Sequence, residues 1–331
     1  MKHVAGSKAV VNRFDIGDIG ICYGMQGNDL PDATQVVSLY KRSGFQKMRL
    51  FNPDRKALEA LRGSQIQVTL DVPNEDLPNL AKSVDDAQSW FTTNVEPYIN
   101  DIEFPYIIVG NQAFPGLEFG HYVVPAMQNI KIVLLHRNLY GIEVTTAVNT
   151  AVLLDTSNPP SAGAFTKETA SGLPDILKFL SNYGASIMLN VYPYLAYAAN
   201  PTQVGLEYAL FTSIRTVVQD GDLSYWNLYD AIVDAFIWSM EKIGFPNVTI
   251  MISETGWPSA GNGNFTTPEH AGVYTRNFVL HITNSTGTPK RPNKYTDAHI
   301  YAIFNENLKP NGIDQHYGLF YPNMKPVYPL F

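Results

Sequence analysis

The chain has 331 residues, with 23 Lys+Arg against 30 Asp+Glu for a formal charge of −7, and it is 45% hydrophobic and 16% charged. Such a composition is too apolar for a disordered chain, and an acidic balance without a Lys/Arg run argues against a nucleic-acid or anionic-membrane partner. The single cysteine, Cys22, rules out an intramolecular disulfide framework and a multi-thiolate metal site. Taken in chain order, Met1 to Asp18 lacks the apolar core of a signal peptide and reads as a leader or expression remnant outside the fold. Strands are then expected at Ile19–Tyr23, where Cys22 sits as a buried inert thiol, and at Lys47–Phe51, Gln67–Val72, Tyr106–Gly110, Glu143–Val148, Ile187–Tyr192, Val248–Glu254 and His299–Asn305. Between them, helical spacing predicts Ala33–Ser43, Asp54–Leu61, Asp85–Tyr98, His121–Ile130, Leu173–Asn182, Tyr225–Ile243 and Pro268–Ile282. In the sixth of these, Asp230, Asp234 and Glu241 alternate with Ile232, Val233, Phe236, Ile237 and Met240 as in an amphipathic helix.

Eight β-branched strands, most followed by a helix, predict a parallel sheet closed into a single (β/α)₈ TIM barrel over residues 19–331, with an open doubly wound sheet as the competing fold. No dinucleotide fingerprint or phosphate loop follows the first strand. In such barrels the chemistry sits at the carboxyl ends of the strands. The polar residues there are Asn111-Gln112 after strand four, Asn190-Val191-Tyr192 at strand six, Glu254 at strand seven and Asn305-Glu306 at strand eight. His136 and His299 lie in apolar surroundings and read as structural histidines, no His/Asp/Glu spacing reads as a metal site, and no Gly-x-Ser-x-Gly elbow is present. Asn247-Val-Thr249, Asn264-Phe-Thr266 and Asn284-Ser-Thr286 are glycosylation sequons, which favour a secreted protein.

These strand ends resemble the plant-type endo-β-1,3-glucanases of glycoside hydrolase family 17. The resemblance runs through Ile19-Gly-Ile-Cys-Tyr-Gly24, Met48-Arg-Leu-Phe-Asn-Pro53, Val109-Gly-Asn-Gln112, Asn190-Val-Tyr-Pro-Tyr194, Ser253-Glu-Thr-Gly-Trp-Pro-Ser259, Phe304-Asn-Glu-Asn-Leu-Lys309 and Gly318-Leu-Phe-Tyr-Pro322, in that order. It implies endo-acting, retaining hydrolysis of internal β-1,3-glucosyl bonds in a groove at the carboxyl-end face, with no metal or organic cofactor. The implied partner is a β-1,3-glucan of the callose or fungal-wall type, and the implied state is an extracellular or vacuolar monomer. Glu254 is implied as the nucleophile. Glu306 and Lys309 match a pair that supports the site electrostatically, and Asp314 stands where relatives often carry another supporting acid. Asn111 is implied as a partner of the sugar 2-hydroxyl, and Tyr23, Tyr192, Tyr194, Trp257 and Phe320 as groove aromatics.

Gln112 departs from the pattern, because it occupies the position of the acid/base glutamate. An amide donates a hydrogen bond to the glycosidic oxygen but neither delivers a proton nor takes one from water, and such help is worth ~10²–10⁴-fold. The chain as written is therefore expected to bind glucan and cleave it poorly. Three explanations stand: an exchange made by design to trap substrate, which the near-isosteric swap and the unusual leader favour; a natural, non-hydrolytic glucan-binding protein; and a transglycosylase-like member. Phe51 where relatives often have Tyr, Leu195 where many have an aromatic, and Asn149 where Asp is common are milder departures.

Overall fold

The computed structural model describes residues 19–116, 118–154, 158–284 and 286–330. The segment 1–18 read as a leader lies outside the described residues. Eight parallel strands, β1 (Ile19–Tyr23), β2 (Lys47–Leu50), β3 (Gln67–Val72), β4 (Tyr106–Asn111), β5 (Glu143–Asn149), β6 (Ile187–Asn190), β7 (Ile250–Thr255) and β8 (Ala298–Ile300), close into a barrel in which β8 pairs with both β7 and β1. They are buried on both faces, packed by the interior on one side and by helices on the other, which is why they read as near-continuous apolar runs. The closed barrel is the architecture the alternation of elements predicts, and the doubly wound sheet is excluded.

The helices form where amphipathic spacing meets end signals. In α1 (Ala33–Ser43) the backbone N–H of Asp32 donates to Gln35 Oε1 at 3.1 Å, and the chain leaves through Gly44 at φ 79°. α2 (Gly120–His136) and α3 (Lys167–Tyr183) extend beyond their predicted cores, and His136 is an exposed residue at the α2 C-terminus, not a core histidine. His299 does lie in the core, fully enclosed, with its Nε2 3.4 Å from Thr69 Oγ1. Cys22 is buried beside β7, where its Sγ donates to Ser253 O at 3.6 Å, and burial raises its pKa well above the ordinary thiol value.

Three differences from the predicted elements have local causes. β6 stops at Asn190 because Pro193 opens a short helix, Pro193–Ala199, and proline suits the first turn of a helix, not a central strand. β8 stops at Ile300 because the chain turns out of the sheet: Tyr301 N–H still donates to Thr255 O, but Ala302 N–H donates to Tyr317 O and Phe304 bridges to Phe320. In the helix Leu228–Lys242, Asp230 and Asp234 are buried, because two hairpins the periodicity does not reveal (Val218–Asp220 with Leu223–Tyr225, and Gly287–Thr288 with Arg291–Pro292) flank it. There Asp234 accepts from Tyr225 Oη and Lys290 N–H, both at 2.9 Å, and Asp230 pairs with His281 at 2.8 Å.

Candidate active site

Glu254 is the penultimate residue of β7 and only 5% exposed, so its carboxylate needs several donors. Oε1 accepts from Arg49 Nη1 at 2.9 Å and Asn111 Nδ2 at 3.0 Å, and Oε2 accepts from Tyr192 Oη at 2.7 Å. Arg49 is fully buried in β2. Its Nε and Nη2 grip Asp71 Oδ1 and Oδ2 on neighbouring β3 at 3.0 and 2.6 Å, and Nη1 also donates to Ser253 O at 2.9 Å. Its guanidinium lies 4.6 Å from the Phe51 ring centroid. A planar fork that serves two carboxylates and a carbonyl uses geometry a lysine does not offer. Burial opposes the charge on Arg49, but Asp71 and Glu254 outweigh it and hold its pKa above the ordinary guanidinium value. Burial pushes the Asp71 carboxyl up to about 6 against the pull of Arg49.

A second network fixes the end of β4. Asn111 stays in register with Ala147 of β5 after a shift in the β4–β5 ladder, while its own N–H and C=O find their partners on the β3 side. Asn74 supplies both: its Oδ1 accepts from Asn111 N–H and its Nδ2 donates to Asn111 O, each at 3.0 Å. Asn190 Nδ2 donates to Asn111 Oδ1 at 3.0 Å while Ser253 Oγ donates to Asn190 Oδ1 at 2.5 Å, which leaves Asn111 Nδ2 facing Glu254. Gln112 follows with φ 53°, a left-handed conformation uncommon for a residue with a Cβ, held by its N–H donating to Ala147 O at 2.7 Å. Its side chain is exposed, and Oε1 accepts from Asn149 Nδ2 at 3.0 Å.

Beyond β8, Glu306 is buried, with Oε1 accepting from Gln26 N–H at 2.7 Å and Oε2 from Tyr301 Oη at 3.0 Å. This close approach requires a residue without a Cβ at position 24, because a Cβ on Gly24 would stand 2.3 Å from Glu306 Oε2. Lys309 Nζ lies 5.4 Å from the Tyr301 ring centroid, and the exposed Asp314 sits on the turn Ile313–Gln315. Tyr192, Tyr301 and Tyr317 pack edge to face at centroid separations of 5.6 to 6.5 Å.

These networks converge on one open cavity of about 510 Å³, whose lining includes Tyr23, Gly24, Phe51, Asn52, Asn111, Gln112, Tyr192, Leu195, Glu254, Tyr301, Glu306, Lys309, Asp314 and Tyr317, while Arg49, Asp71, Asn74 and Asn190 stand behind it. Its wall follows the carboxyl ends of β1, β2, β4, β6, β7 and β8. Of the residues read from the sequence, Tyr23, Asn111, Gln112, Tyr192, Glu254, Glu306, Lys309 and Asp314 are brought together here.

Three are not. Tyr194 and Trp257 are each 1% exposed and pack edge to face at 5.1 Å, with Tyr194 Oη accepting from Asn262 Nδ2 and Trp257 Nε1 donating to Phe265 O, both at 2.9 Å. Phe320 is 4% exposed and pairs with Phe304. Their polar atoms and faces are already used inside the protein, so they support the wall without forming it.

Sequence reasoning missed Arg49, Asp71, Tyr301 and Tyr317. For the first two a signal existed: a charged residue inside a fully buried strand must find a partner, and two adjacent strands carry charges of opposite sign.

A closed (β/α)₈ barrel whose strand ends present buried carboxylates to an open cleft defines a barrel enzyme of the glycosidase class. The profile of "Glycosyl hydrolases family 17" matches residues 19–330, and the chain belongs to that family. A probable glucan endo-1,3-beta-glucosidase of Arabidopsis thaliana is 47% identical over 315 residues, covering 95% of this chain and 90% of that protein. Lichenase-2 of Hordeum vulgare is 43% identical, covering 95% and 98% respectively. Among solved structures, one of two plant beta-glucan endohydrolases described as having distinct substrate specificities superposes with a TM-score of 0.90 at 44% identity, covering 94% of this chain and 99% of that one. CJP38, a beta-1,3-glucanase and allergen of Cryptomeria japonica pollen, superposes with a TM-score of 0.90 at 42% identity, covering 94% and 98%.

Proposed function

We propose that the cavity binds a β-1,3-glucan across the barrel mouth and is built for endo-acting, retaining cleavage of its internal bonds, with hydrolysis impaired in this chain by Gln112. The observation that carries the reading is the threefold grip on Glu254. A carboxylate fixed by Arg49, Asn111 and Tyr192 is held in one orientation, as a nucleophile must be to form a covalent glycosyl-enzyme. The second carboxyl of a retaining pair stands about 5–5.5 Å from the first and works as acid and then as base. Gln112 lines the same cavity beside Asn111, and the resemblance of Val109-Gly-Asn-Gln112 to the family pattern assigns it the acid/base position with an amide in place of the acid. Glu306, with Lys309 nearby and Asp314 at the rim, supplies the field around the pair, and Tyr23 and Tyr192 offer aromatic surface to pyranose rings. The named activities of the relatives and the solved neighbours point to the same substrate class.

Gln112 also favours a second reading, a non-hydrolytic glucan-binding protein that keeps the cleft and has abandoned the chemistry. In either case we read the protein as an extracellular monomer, and the exposure of the sequon residues Asn247, Asn264 and Asn284 supports the extracellular placement. Calorimetry with a β-1,3-linked glucohexaose and with its β-1,4-linked isomer tests the cleft. The β-1,3 oligomer is expected to bind at least tenfold more tightly, and absence of β-1,3 binding would overturn both readings.

A further inference from the structure

The amino-end face of the barrel, opposite the cleft, carries an opening of its own. A cavity of about 250 Å³ lies where β7 and β8 begin, between the loop 246–249 and the segment 291–296. Val233 and Ile237 of the helix Leu228–Lys242, together with Val248 and Ile250, form its apolar part. Tyr295 gives it an aromatic side: the residue is 49% exposed, and its Oη is tied down by donating to Asp297 Oδ1 at 2.9 Å. The cavity falls below the ~300–1,000 Å³ typical of pockets for drug-sized ligands, so it suits a single sugar ring. Asn247 stands on its lip, exposed, as the acceptor residue of the sequon Asn247-Val-Thr249. The backbone on both sides of Asn247 is anchored. Pro246 O accepts from Arg291 Nη2 at 3.0 Å, Val248 is buried, and Thr249 O accepts from Ile187 N–H at 2.9 Å. The Asn247 side-chain amide itself makes no hydrogen bond among the described residues. A group attached at its Nδ2 therefore starts from a fixed point beside apolar and aromatic surface.

We propose that Asn247 carries an N-linked glycan whose first N-acetylhexosamine seats in this cavity. The site is separate from the cleft, and the proposal rests only on the extracellular placement given above. The glycan is transferred during export from a lipid-borne glycosyl pyrophosphate. Asn247 Nδ2 bonds to the anomeric carbon as the bond from that carbon to the pyrophosphate oxygen breaks. The electron pair of the broken bond leaves with the pyrophosphate, and the displaced amide proton passes to a base of the transferase. In the folded chain the C–H face of the sugar covers the Tyr295 ring and the aliphatic wall, which removes apolar surface from water. Lys294, exposed at the rim, offers a donor to the acetamide oxygen. Because the attachment point is already anchored, little further freedom is lost when the sugar seats.

The test compares the full chain made in a bacterial cytoplasm with the same chain exported, behind an added secretion signal, by a eukaryotic host that attaches high-mannose glycans. Peptide mass spectrometry reads each sequon, and endoglycosidase H then trims every glycan to its first sugar. The expected result is an occupied Asn247 and a melting temperature that survives the trimming. Asn247→Gln should lower the melting temperature of the exported chain by about 2 °C or more and leave the bacterial chain unchanged. Tyr295→Ala should lower both forms but erase the loss caused by Asn247→Gln, because the surface that receives the sugar is gone. An occupied Asn247 whose replacement by Gln changes nothing in the exported chain would overturn the seating of the sugar. A bare Asn247 beside an occupied Asn264 or Asn284 would overturn the proposal and leave the extracellular placement standing. Three bare sequons would overturn both.

Discussion

Asp71 and Glu254 share one buried guanidinium, and that economy dictates how the site responds to mutation. Removing Arg49 leaves the buried Asp71 and the nearly buried Glu254 without their shared cation, and breaking a buried pair by deleting one partner costs about 3–5 kcal/mol. Arg49→Ala is therefore expected to lower the urea-unfolding free energy by that amount, and a loss below about 1 kcal/mol would contradict the shared-pair account. Tyr192 acts on a different step. Its bond to Glu254 Oε2 stabilises the free carboxylate, which disappears on forming the glycosyl-enzyme and returns on its breakdown. In a Gln112→Glu background, Tyr192→Phe removes a charge-assisted bond worth about 1.5–3 kcal/mol, so breakdown slows by about tenfold or more and kcat and KM fall together. A raised KM with unchanged kcat would instead mark Tyr192 as a simple ligand contact. Single residues were unevenly legible in the sequence. Glu254 and Asn111 follow from their places at strand ends and Glu306 from the motif Phe304-Asn-Glu-Asn-Leu-Lys309, whereas Arg49 looked like an ordinary strand residue because its importance lies in partners from β3 and β7 that no local pattern reveals.

At the scale of elements, what the periodicity conceals is how strands end. The turn after Ile300 sends Tyr301 over the barrel mouth, and the helix at Pro193 places Tyr192 in the cleft but directs Tyr194 inward. Both follow from the competition between ladder pairing and a nearby alternative partner, and one-dimensional spacing carries no information about that alternative. The inward turn makes Trp257 a core residue among Tyr194, Tyr197 and Tyr274, at ring separations of 5.1 to 5.7 Å. Trp257→Ala should thus destabilise the fold by about 3–5 kcal/mol. Oligosaccharide affinity of the remaining folded protein, measured by calorimetry below the unfolding transition, should be unchanged. A stable variant with lost affinity would restore Trp257 to the ligand-contacting set. The helix Leu228–Lys242 gives the parallel lesson: aspartates at helical spacing read as a solvent stripe, yet hairpins from distant sequence flank them.

For the whole molecule, the barrel was legible because eight buried parallel strands must each be apolar throughout and alternate with amphipathic helices, a pattern few other folds share. Its interior also sets a pH dependence. Burial first, and the charge of Arg49 second, hold the pKa of His299 down from 6.5 to about 4. Between those values the unfolded chain carries a proton the folded chain refuses, so this residue's contribution to stability is present above pH 6.5 and is lost as pH falls toward 4, by up to about 3 kcal/mol. Asp71 and Asp234, both raised to about 6 chiefly by burial, act in the opposite sense over an overlapping range, so the clean readout is the stability difference between the parent chain and His299→Gln. That difference should shift toward the variant as pH drops from 7 to 4, and a difference flat in pH would contradict a neutral buried His299. The central claim, a β-1,3-glucanase site silenced at one position, is tested most directly by reducing-end release from a linear β-1,3-glucan, comparing this chain with Gln112→Glu while calorimetry follows oligosaccharide binding to both. The account predicts that both bind and that the glutamate form cleaves at least a hundredfold faster. Equal binding with no gain in cleavage would contradict it and leave a glucan-binding protein whose chemistry is lost beyond residue 112.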